Sequence, residues 1–272
     1  MRESIPNGAN HIAIPSFIHW LSRESNVTIP GAHVRCFYLD PVIDEEVFND
    51  WCLHIRRQYI NDKKLEEYAS FTCVDKSTYL KKNVIPETPQ IRSGDFAEIV
   101  IEDLLEFVEG FHVSRYKHCD RTDKDSSEHG ADVIGYRIQD PARPSNSDSL
   151  IAVEAKSQSS TTNLKKAIED AALDSPKDRS RLAMTLNYHL RRSIDAGDLI
   201  NAEALRRFLN KSEHPYQEIL ASGVLAGVKD AQRHLNGATA SDLKLKKDNY
   251  VFIVHGPKLM NLIHRIYQGC IQ

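Results

Sequence analysis

Two stretches near the middle of the chain alternate apolar and polar residues as β-strands do. They cover residues 130–136 and 150–156 and are joined by a polar loop. Side chains alternate across a strand, so Glu154 and Lys156, two residues apart, project from the same face of the second one. The pattern predicts a hairpin that presents an acid and an amine side by side. Asp132, near the start of the first strand, is placed to join them.

Helical patterns lie on both sides of this hairpin. Residues 93–110 carry a wide apolar stripe that predicts a helix, and residues 111–116 follow as a first strand. After Lys156, the polar cluster at 159–162 offers N-caps for a second helix. The predicted order is therefore helix, three strands, helix.

The first third of the chain has elements of its own. Residues 33–39 predict a strand, and the helix that follows it is capped by Asp44 or Asp40. The Pro-Glu-Thr-Pro segment at 86–89 is typical of a linker. We therefore expect an N-terminal α/β domain at residues 1–88, and because it contains no candidate site, we expect it to bind a partner.

The rest of the chain, residues 89–272, is expected to form one larger domain. Residues 175–245 have helical patterns and few β-branched runs, which predicts a helical insertion. Residues 250–255 are an apolar run typical of a buried strand that closes the sheet, and a last helix follows it. The predicted fold class is α/β (α+β), with a mixed sheet flanked by helices.

Composition narrows the classes of protein. With 272 residues, 41% of them hydrophobic, the chain can bury a substantial core, and its net charge of −3 argues against coating nucleic acid through bulk positive potential. The five cysteines are scattered and never spaced as C-x-x-C, which indicates neither a disulfide framework nor a zinc knuckle and fits a reducing cytoplasm. The sequence has no signal-peptide pattern, no apolar run of about 18 residues and no phosphate-binding loop. We expect a soluble protein that does not hydrolyse ATP by itself.

The acid-x-lysine spacing is weak evidence on its own. It occurs as Asp62–Lys64, Glu154–Lys156 and Asp242–Lys244, about as often as chance gives for this composition. Only Glu154–Lys156 ends an apolar, β-branched run and follows a strand that starts with an acid. Carboxylates there would hold Mg²⁺ or Mn²⁺, and the lysine would orient or deprotonate a water or stabilise negative charge, as phosphodiester hydrolysis requires. The structural alternatives are a turn acid at Asp132 and an exposed salt bridge worth about 0–1 kcal/mol.

Other polar residues near this motif have two interpretations each. Glu98 follows Asp95 by three residues, which is typical of a helix-capping pair and would make Glu98 structural. Gln158 lies on the face of Glu154 and Lys156 if the strand continues, or in a loop next to the helix if it does not.

Two further groups favour structural interpretations. His118, Cys119, Asp120 and His129 match no zinc-ligand spacing, so a solvated charged loop is the favoured interpretation. The paired arginines at 191–192 and 206–207 would contact phosphate or be solvated, and the latter is more usual.

The combination of motifs resembles the PD-(D/E)xK nuclease superfamily over roughly residues 92–172. It consists of an acid in the first helix, G-x-D on the second strand and E-x-K on the third. More narrowly, Ser93–Glu98, His129–Asp132 and Val153–Lys156 resemble HamA, the nuclease subunit of Hachiman anti-phage systems. The resemblance implies a restriction-endonuclease-like core.

The resemblance also implies a site and a function. Glu98, Asp132, Glu154 and the carbonyl of Ala155 would be metal ligands, and Lys156 would act beside them. The protein would be a Mg²⁺-dependent DNA nuclease with little sequence preference, controlled by a helicase partner, HamB. The alternatives are a stand-alone restriction-type endonuclease, an enzyme acting on RNA, and a non-catalytic adaptor with the same fold.

Overall fold

The strands of the protein form a mixed seven-stranded sheet. In chain order they are β1 (Leu21–Glu24), β2 (Ala32–Leu39), β3 (His112–Val113), β4 (Val133–Arg137), β5 (Ser149–Gln158), β6 (Gln217–Ala226) and β7 (Asn249–His255). Their spatial order is β1-β2-β7-β6-β5-β4-β3. The computed structural model describes residues 14–40, 44–119, 121–126, 130–158 and 163–272.

Helices cover both faces of this sheet. They are α1 (Glu45–Tyr59), α2 (Asp62–Thr72), α3 (Lys76–Tyr79), α4 (Pro89–Asp103), α5 (Leu164–Asp195), α6 (Leu199–Arg207), α7 (Ala231–Leu235) and α8 (Leu259–Gly269), with a 3₁₀ turn at Ser16–Trp20 and π-helical turns at Leu80–Val84 and Leu104–Val108. In the part of the chain that the structure describes, none of the helices has both the length and the apolar content to span a membrane.

The middle of the sheet is parallel and its edges are antiparallel. Strands β2, β7, β6 and β5 run parallel to one another, whereas β1 pairs with β2, and β4 with β5, in the antiparallel sense. Parallel neighbours need a crossover connection, and α5 and α6 provide it between β5 and β6. These long connections bring helix side chains over the sheet.

The two faces of β5 meet different helices. Val153 belongs to the core that includes α1, α4 and α8, whereas Ala152 packs with Leu182 of α5. Because side chains alternate along a strand, Glu154 and Lys156 share the α5 face with Ala152.

Much of the predicted element order is confirmed. The strands expected at 33–39 and 250–255 are β2 and β7, and the predicted hairpin is β4 and β5. Asp44 caps α1 as one of the two predicted caps. The caps predicted at 159–162 lie outside the described residues, and Asn163 caps α5.

The helix predicted at residues 93–110 begins earlier than expected. It starts at Pro89, inside the segment predicted to be a linker, because proline is well tolerated at the first helical position. The helix then changes to a π-helical turn at Leu104. Asp95 and Glu98 therefore lie inside α4 rather than at its start, and the capping interpretation of Glu98 is wrong.

The prediction that residues 175–245 form a helical insertion is wrong in one respect. This segment contains the strand β6, which lies between β5 and β7 in the middle of the sheet. Its Ala221-Ser222-Gly223 segment has small side chains with little preference for strands, so the local pattern did not indicate one. The strand forms because one edge pairs with β5 along its whole length and the other pairs with β7 from Ala221 to Ala226.

The two sides of the boundary predicted at residue 88 share one sheet and one core. Strand β2 pairs with β7, and Phe17 and Trp51, whose rings stack 4.2 Å apart, lie in the same apolar cluster as Phe96 and Tyr267. The division into domains stays a prediction. The described part of residues 1–88 nevertheless has no separate sheet.

Candidate functional site

Asp132 lies where β4 begins, directly beside β5. Val133 pairs with Val153 in the register of the hairpin. Just beyond this pair, the backbone N–H of Ala155 donates a hydrogen bond to the side-chain oxygen Oδ2 of Asp132 at 2.9 Å. Glu154 precedes Ala155 and projects toward α5. The structure thus brings Asp132 and the E-x-K motif together at one end of the hairpin.

Lys156 forms ion pairs with two carboxylates. Its Nζ lies 2.6 Å from Glu154 Oε1 and 2.9 Å from Asp174 Oδ2 on α5. Burial lowers the pKa of Lys156, but the hydrogen bonds that Lys156 donates to Glu154 and Asp174 raise it more, so that the net change is upward. Lys156 is therefore held as an ammonium in this arrangement.

Glu98 approaches the cluster from α4 and joins it through a lysine. The Nζ of Lys117 lies 2.8 Å from Glu98 Oε2 and 3.0 Å from Asp132 Oδ1. Burial raises the pKa of Glu98, Lys117 lowers it, and Asp132 raises it again, with a net upward shift. The two acids thus share one buried ammonium, and Asp132 is the residue that links Glu98 to the hairpin.

Asp178 on α5 is a further acid that sequence reasoning missed. It is fully buried, and neither carboxylate oxygen is hydrogen-bonded to any residue that the structure describes. Burial, followed by the charges of Glu154 and Asp132, raises its pKa to about 7. Burying an acid that no hydrogen-bond donor contacts lowers the stability of the fold, so the presence of Asp178 indicates a role outside folding.

Other buried polar groups surround this acid. Ser222, the register partner of Glu154 on β6, and Ser175 on α5 have buried hydroxyls with no hydrogen-bond partner in the described residues. The space between α5 and the middle strands is therefore polar around Glu154, although apolar residues fill it elsewhere.

The glycine of the G-x-D motif allows α5 to fix the start of β4. Gly130 has a φ of +133°, and a Cβ placed there would lie 3.1 Å from Thr185 Oγ1. The same hydroxyl accepts a hydrogen bond from the N–H of Ala131 at 3.1 Å. Asp132 is therefore positioned by a contact with α5 as well as by β5.

The loop after β3 is only partly the solvated loop that the sequence predicted, since Thr122 and Asp123 are exposed but His118 is not. His118 is buried, and its Nδ1 lies 2.8 Å from Arg121, which also pairs with Asp95 at 2.7 and 2.9 Å. Burial lowers the pKa of His118, and Arg121 lowers it further. Asp120 and His129 lie outside the described residues.

The remaining candidates have structural contacts. Gln158 ends β5, so it shares the face of Glu154, as expected if the strand continued. Arg207 is largely buried and pairs with Asp148 at 2.6 Å, while Arg206 pairs with Glu203 on the surface. Arg207 is therefore a structural residue rather than part of a phosphate-binding face.

Lys117 and Asp178, which the sequence prediction did not include, differ in the signal that the sequence offers. Lys117 lies in an irregular segment, and nothing local marks it. Asp178 follows Ala171 by seven residues and precedes Leu182 by four, so it interrupts the apolar stripe of a helix. A charged residue at a core position of a predicted helix was the available signal.

The donor set fits a divalent cation that prefers oxygen ligands. The charge of Asp132 raises the pKa values of Glu154 and Asp178, and a cation would remove that repulsion. The oxygens of Asp178, which accept no hydrogen bond from the described residues, are available as ligands for such an ion. Glu98 fits less directly, because Lys117 already neutralises it.

The fold and the cluster define a class of protein, namely a mixed α/β protein whose middle strands end in a group of carboxylates and lysines. The chain belongs to the HamA family, whose sequence model matches residues 15–270, nearly the whole chain. HamA proteins are components of Hachiman anti-phage defence systems. No curated protein matches the chain at significant similarity.

Proposed function

We propose that this chain is the nuclease of a Hachiman defence system and hydrolyses DNA with the help of a divalent cation. The observation that carries the proposal is the contact of Asp132 with the Glu154–Lys156 motif, where Asp132 accepts the N–H of Ala155 and Lys156 pairs with Glu154. Asp178, a buried acid without a hydrogen-bond partner among the described residues, lies near enough for the charges of Glu154 and Asp132, after burial, to raise its pKa. Membership of the HamA family supports the biological setting.

The proposed ligands are Asp132, Glu154, the carbonyl of Ala155 and, from α4, Glu98. Mg²⁺ or Mn²⁺ held there would relieve charge on the phosphate and supply a nucleophilic water at neutral pH. Asp178 is the additional acid that the structure contributes to this set.

Lys156 would act as a positive charge rather than as a base. Its two carboxylate partners keep the pKa upward-shifted, so the proton stays on Nζ near neutral pH. An ammonium beside the reacting phosphate orients an attacking water and stabilises the negative charge that develops. Lys117 would hold Glu98 and Asp132 in place by the same charge pairing.

The nuclease would be controlled by a helicase partner, HamB, as expected for the family. No phosphate-binding loop occurs in the sequence, which agrees with a division of labour between two subunits. DNA is the proposed substrate.

A plasmid-cleavage assay tests the proposal. Purified protein with its helicase partner is incubated with supercoiled plasmid and Mg²⁺, and with EDTA in a parallel series. Glu154→Gln and Lys156→Gln are expected to reduce cleavage by about 10²-fold or more, the usual size of such contributions. Circular dichroism checks that each variant is folded.

The chain provides its own control for this assay. Lys244→Ala changes the lysine of another acid-x-lysine triplet, and that residue is exposed. This variant is expected to cleave at the wild-type rate. Full activity in Glu154→Gln or Lys156→Gln would exclude the proposed site, and EDTA-resistant cleavage would exclude the metal. A folded complex without cleavage would support the adaptor alternative.

A further inference from the structure

Three side chains of the kinds that bind metal ions meet on strands that do not carry the proposed nuclease site. Glu24 of β1 is the register partner of Cys36 on β2, so the two share one face of the sheet. His255 of β7 lies two residues beyond Ile253, the β7 partner of Cys36, and therefore projects from that face as well. The three residues come from three different strands.

The ligand atoms of the three side chains lie close enough together to bind one ion. Glu24 Oε2 lies 2.7 Å from His255 Nε2 and 3.7 Å from Cys36 Sγ, and all three atoms lie within 4.8 Å of one another. Ligand atoms about 2.0–2.3 Å from a shared tetrahedral ion are about 3.3–3.8 Å apart, so Cys36 Sγ already lies at ligand distance from Glu24, and Glu24 and His255 would separate by about 0.6 Å on binding.

A backbone carbonyl orients the imidazole toward the other two groups. His255 Nδ1 lies 3.1 Å from the carbonyl oxygen of Val228. A carbonyl oxygen only accepts hydrogen bonds, so Nδ1 carries a hydrogen and Nε2 is the nitrogen that faces Glu24 and Cys36; in the metal-free protein the 2.7 Å contact between Nε2 and Glu24 Oε2 holds a proton between the two groups. Metal-ligating histidines are oriented in this way.

The group is buried on one side and reachable on the other. Cys36 and His255 are buried, whereas the side chain of Glu24 is 31% exposed. A cavity of about 270 Å³ is lined by Glu24 and Cys36, among other residues. A water molecule from this cavity would complete a four-coordinate site.

We propose that Glu24, Cys36 and His255 bind Zn²⁺. A thiolate with an imidazole and one carboxylate suits zinc, whereas Mg²⁺ and Mn²⁺ prefer all-oxygen sites. Binding would release to solvent the thiol proton of Cys36 and the proton held between His255 and Glu24, and would form one bond from each side chain to the ion. The ion would join edge strand β1 to β2 and β7, a structural role independent of the proposed nuclease.

Cobalt substitution tests the site directly. The full-length protein, freed of metal and reduced, is titrated with Co²⁺ and followed by absorption spectroscopy. One equivalent is expected to produce a thiolate-to-cobalt charge-transfer band, and Zn²⁺ is expected to remove it. Absence of the band in the wild-type protein would overturn the proposal and leave Glu24 and His255 as an ion pair.

Variants assign the band to its ligands. Cys36→Ser is expected to abolish it, whereas Cys270→Ser, which removes another buried thiol bonded to the carbonyl of Cys52, is expected to retain it. Glu154→Gln should also retain it, which separates this site from the nuclease. An unchanged band in Cys36→Ser would overturn the proposal.

A milder change keeps the test valid if Cys36→Ser fails to fold. Glu24→Gln alters a partly exposed side chain and leaves the thiol and imidazole in place. Zn²⁺ affinity, measured by competition with a chromophoric chelator, is expected to fall by at least about 10-fold. Equal affinity in the variant and the wild-type protein would contradict the assignment of Glu24.

Discussion

Asp132 links the residues of the candidate site that come from different elements. One of its oxygens accepts the N–H of Ala155, and the other faces the ammonium of Lys117. Burial raises the pKa values of Glu98, Glu154 and Asp178, and the charge of Asp132 raises each of them further. These residues come from α4, β5 and α5, so the electrostatics of the site depend on contacts between elements.

Asp178→Asn is expected to stabilise the metal-free protein in a pH-dependent way. Because the folded state raises the pKa of Asp178 from 3.8 to about 7, stability is lost as pH rises toward and through that value. The variant has an uncharged amide and does not lose stability in this way. Its thermal unfolding midpoint in EDTA should therefore exceed that of the wild-type protein by about 3 °C or more near pH 8. The advantage should shrink toward about pH 4.

Asp174 on the same helix provides a control of opposite sign. Hydrogen bonds from Lys177 and Lys156 lower its pKa, so its carboxylate contributes stability above its ordinary pKa. Asp174→Asn should therefore be less stable than the wild type near neutral pH. A difference in unfolding midpoint between Asp178→Asn and the wild type that does not change with pH would show that the pKa of Asp178 is not raised by the fold.

At the scale of elements, α4 lies close to the sheet because β6 has a glycine beneath it. A Cβ at Gly223 would lie 2.9 Å from Ile101 Cγ1 and 3.1 Å from Val153 Cγ1. Contacts at that distance require a neighbour to move. The helix that carries Glu98 is thus positioned by the smallest side chain of β6.

Gly223→Ala is expected to destabilise the fold by about 1–3 kcal/mol, because the added methyl group over-packs this contact. Urea denaturation measures the change. In an Ile101→Ala background the same substitution should cost less, since the closest atoms are gone, and a double-mutant cycle gives the coupling.

Gly94 is the matched control for this change. It lies in α4, and a methyl group added there would meet no atom within 4 Å, so Gly94→Ala should stabilise the protein by about 0.5–1 kcal/mol. Additive effects of Gly223→Ala and Ile101→Ala would show that the two side chains do not compete for space.

At the scale of the whole molecule, the first part of the chain is joined to the rest. Strand β2 lies between β1 and β7, and Trp51 packs against Phe96 with ring centroids 5.3 Å apart. Removing residues 1–88 would take two strands from the sheet and expose this core. Partner binding by this region is better tested with a surface change in the full-length chain.

Phe71 on α2 is the residue to change. Its side chain is 90% exposed, and exposed aromatic residues are typical anchors of protein interfaces. Phe71→Ser is expected to weaken co-purification with the helicase partner while leaving the unfolding midpoint unchanged. Leu199→Ser, at a residue 66% exposed outside residues 1–88, should leave binding intact. Equal loss in both variants, or in neither, would contradict the predicted role of residues 1–88.

The sequence alone determined the elements with clear periodicity. The hairpin of β4 and β5 and the strand β7 follow from local patterns, because alternation acts within a few residues, and capping preference limited the cap of α1 to Asp44 or Asp40. The shared face of Glu154 and Lys156 follows from the same alternation. The motif around them was enough to indicate the family to which the chain belongs.

Only the tertiary structure decided which distant groups meet. Strand β6 forms because both neighbours pair with it, and Lys117 reaches Asp132 from an irregular segment of the backbone. The packing of α5 buries Asp178 near enough to Glu154 and Asp132 for their charges, after burial, to raise its pKa. Cys36 and His255 are 219 positions apart in the sequence, yet the register of β2 and β7 places them on one face. Such contacts depend on strand order and helix packing, which no local pattern specifies.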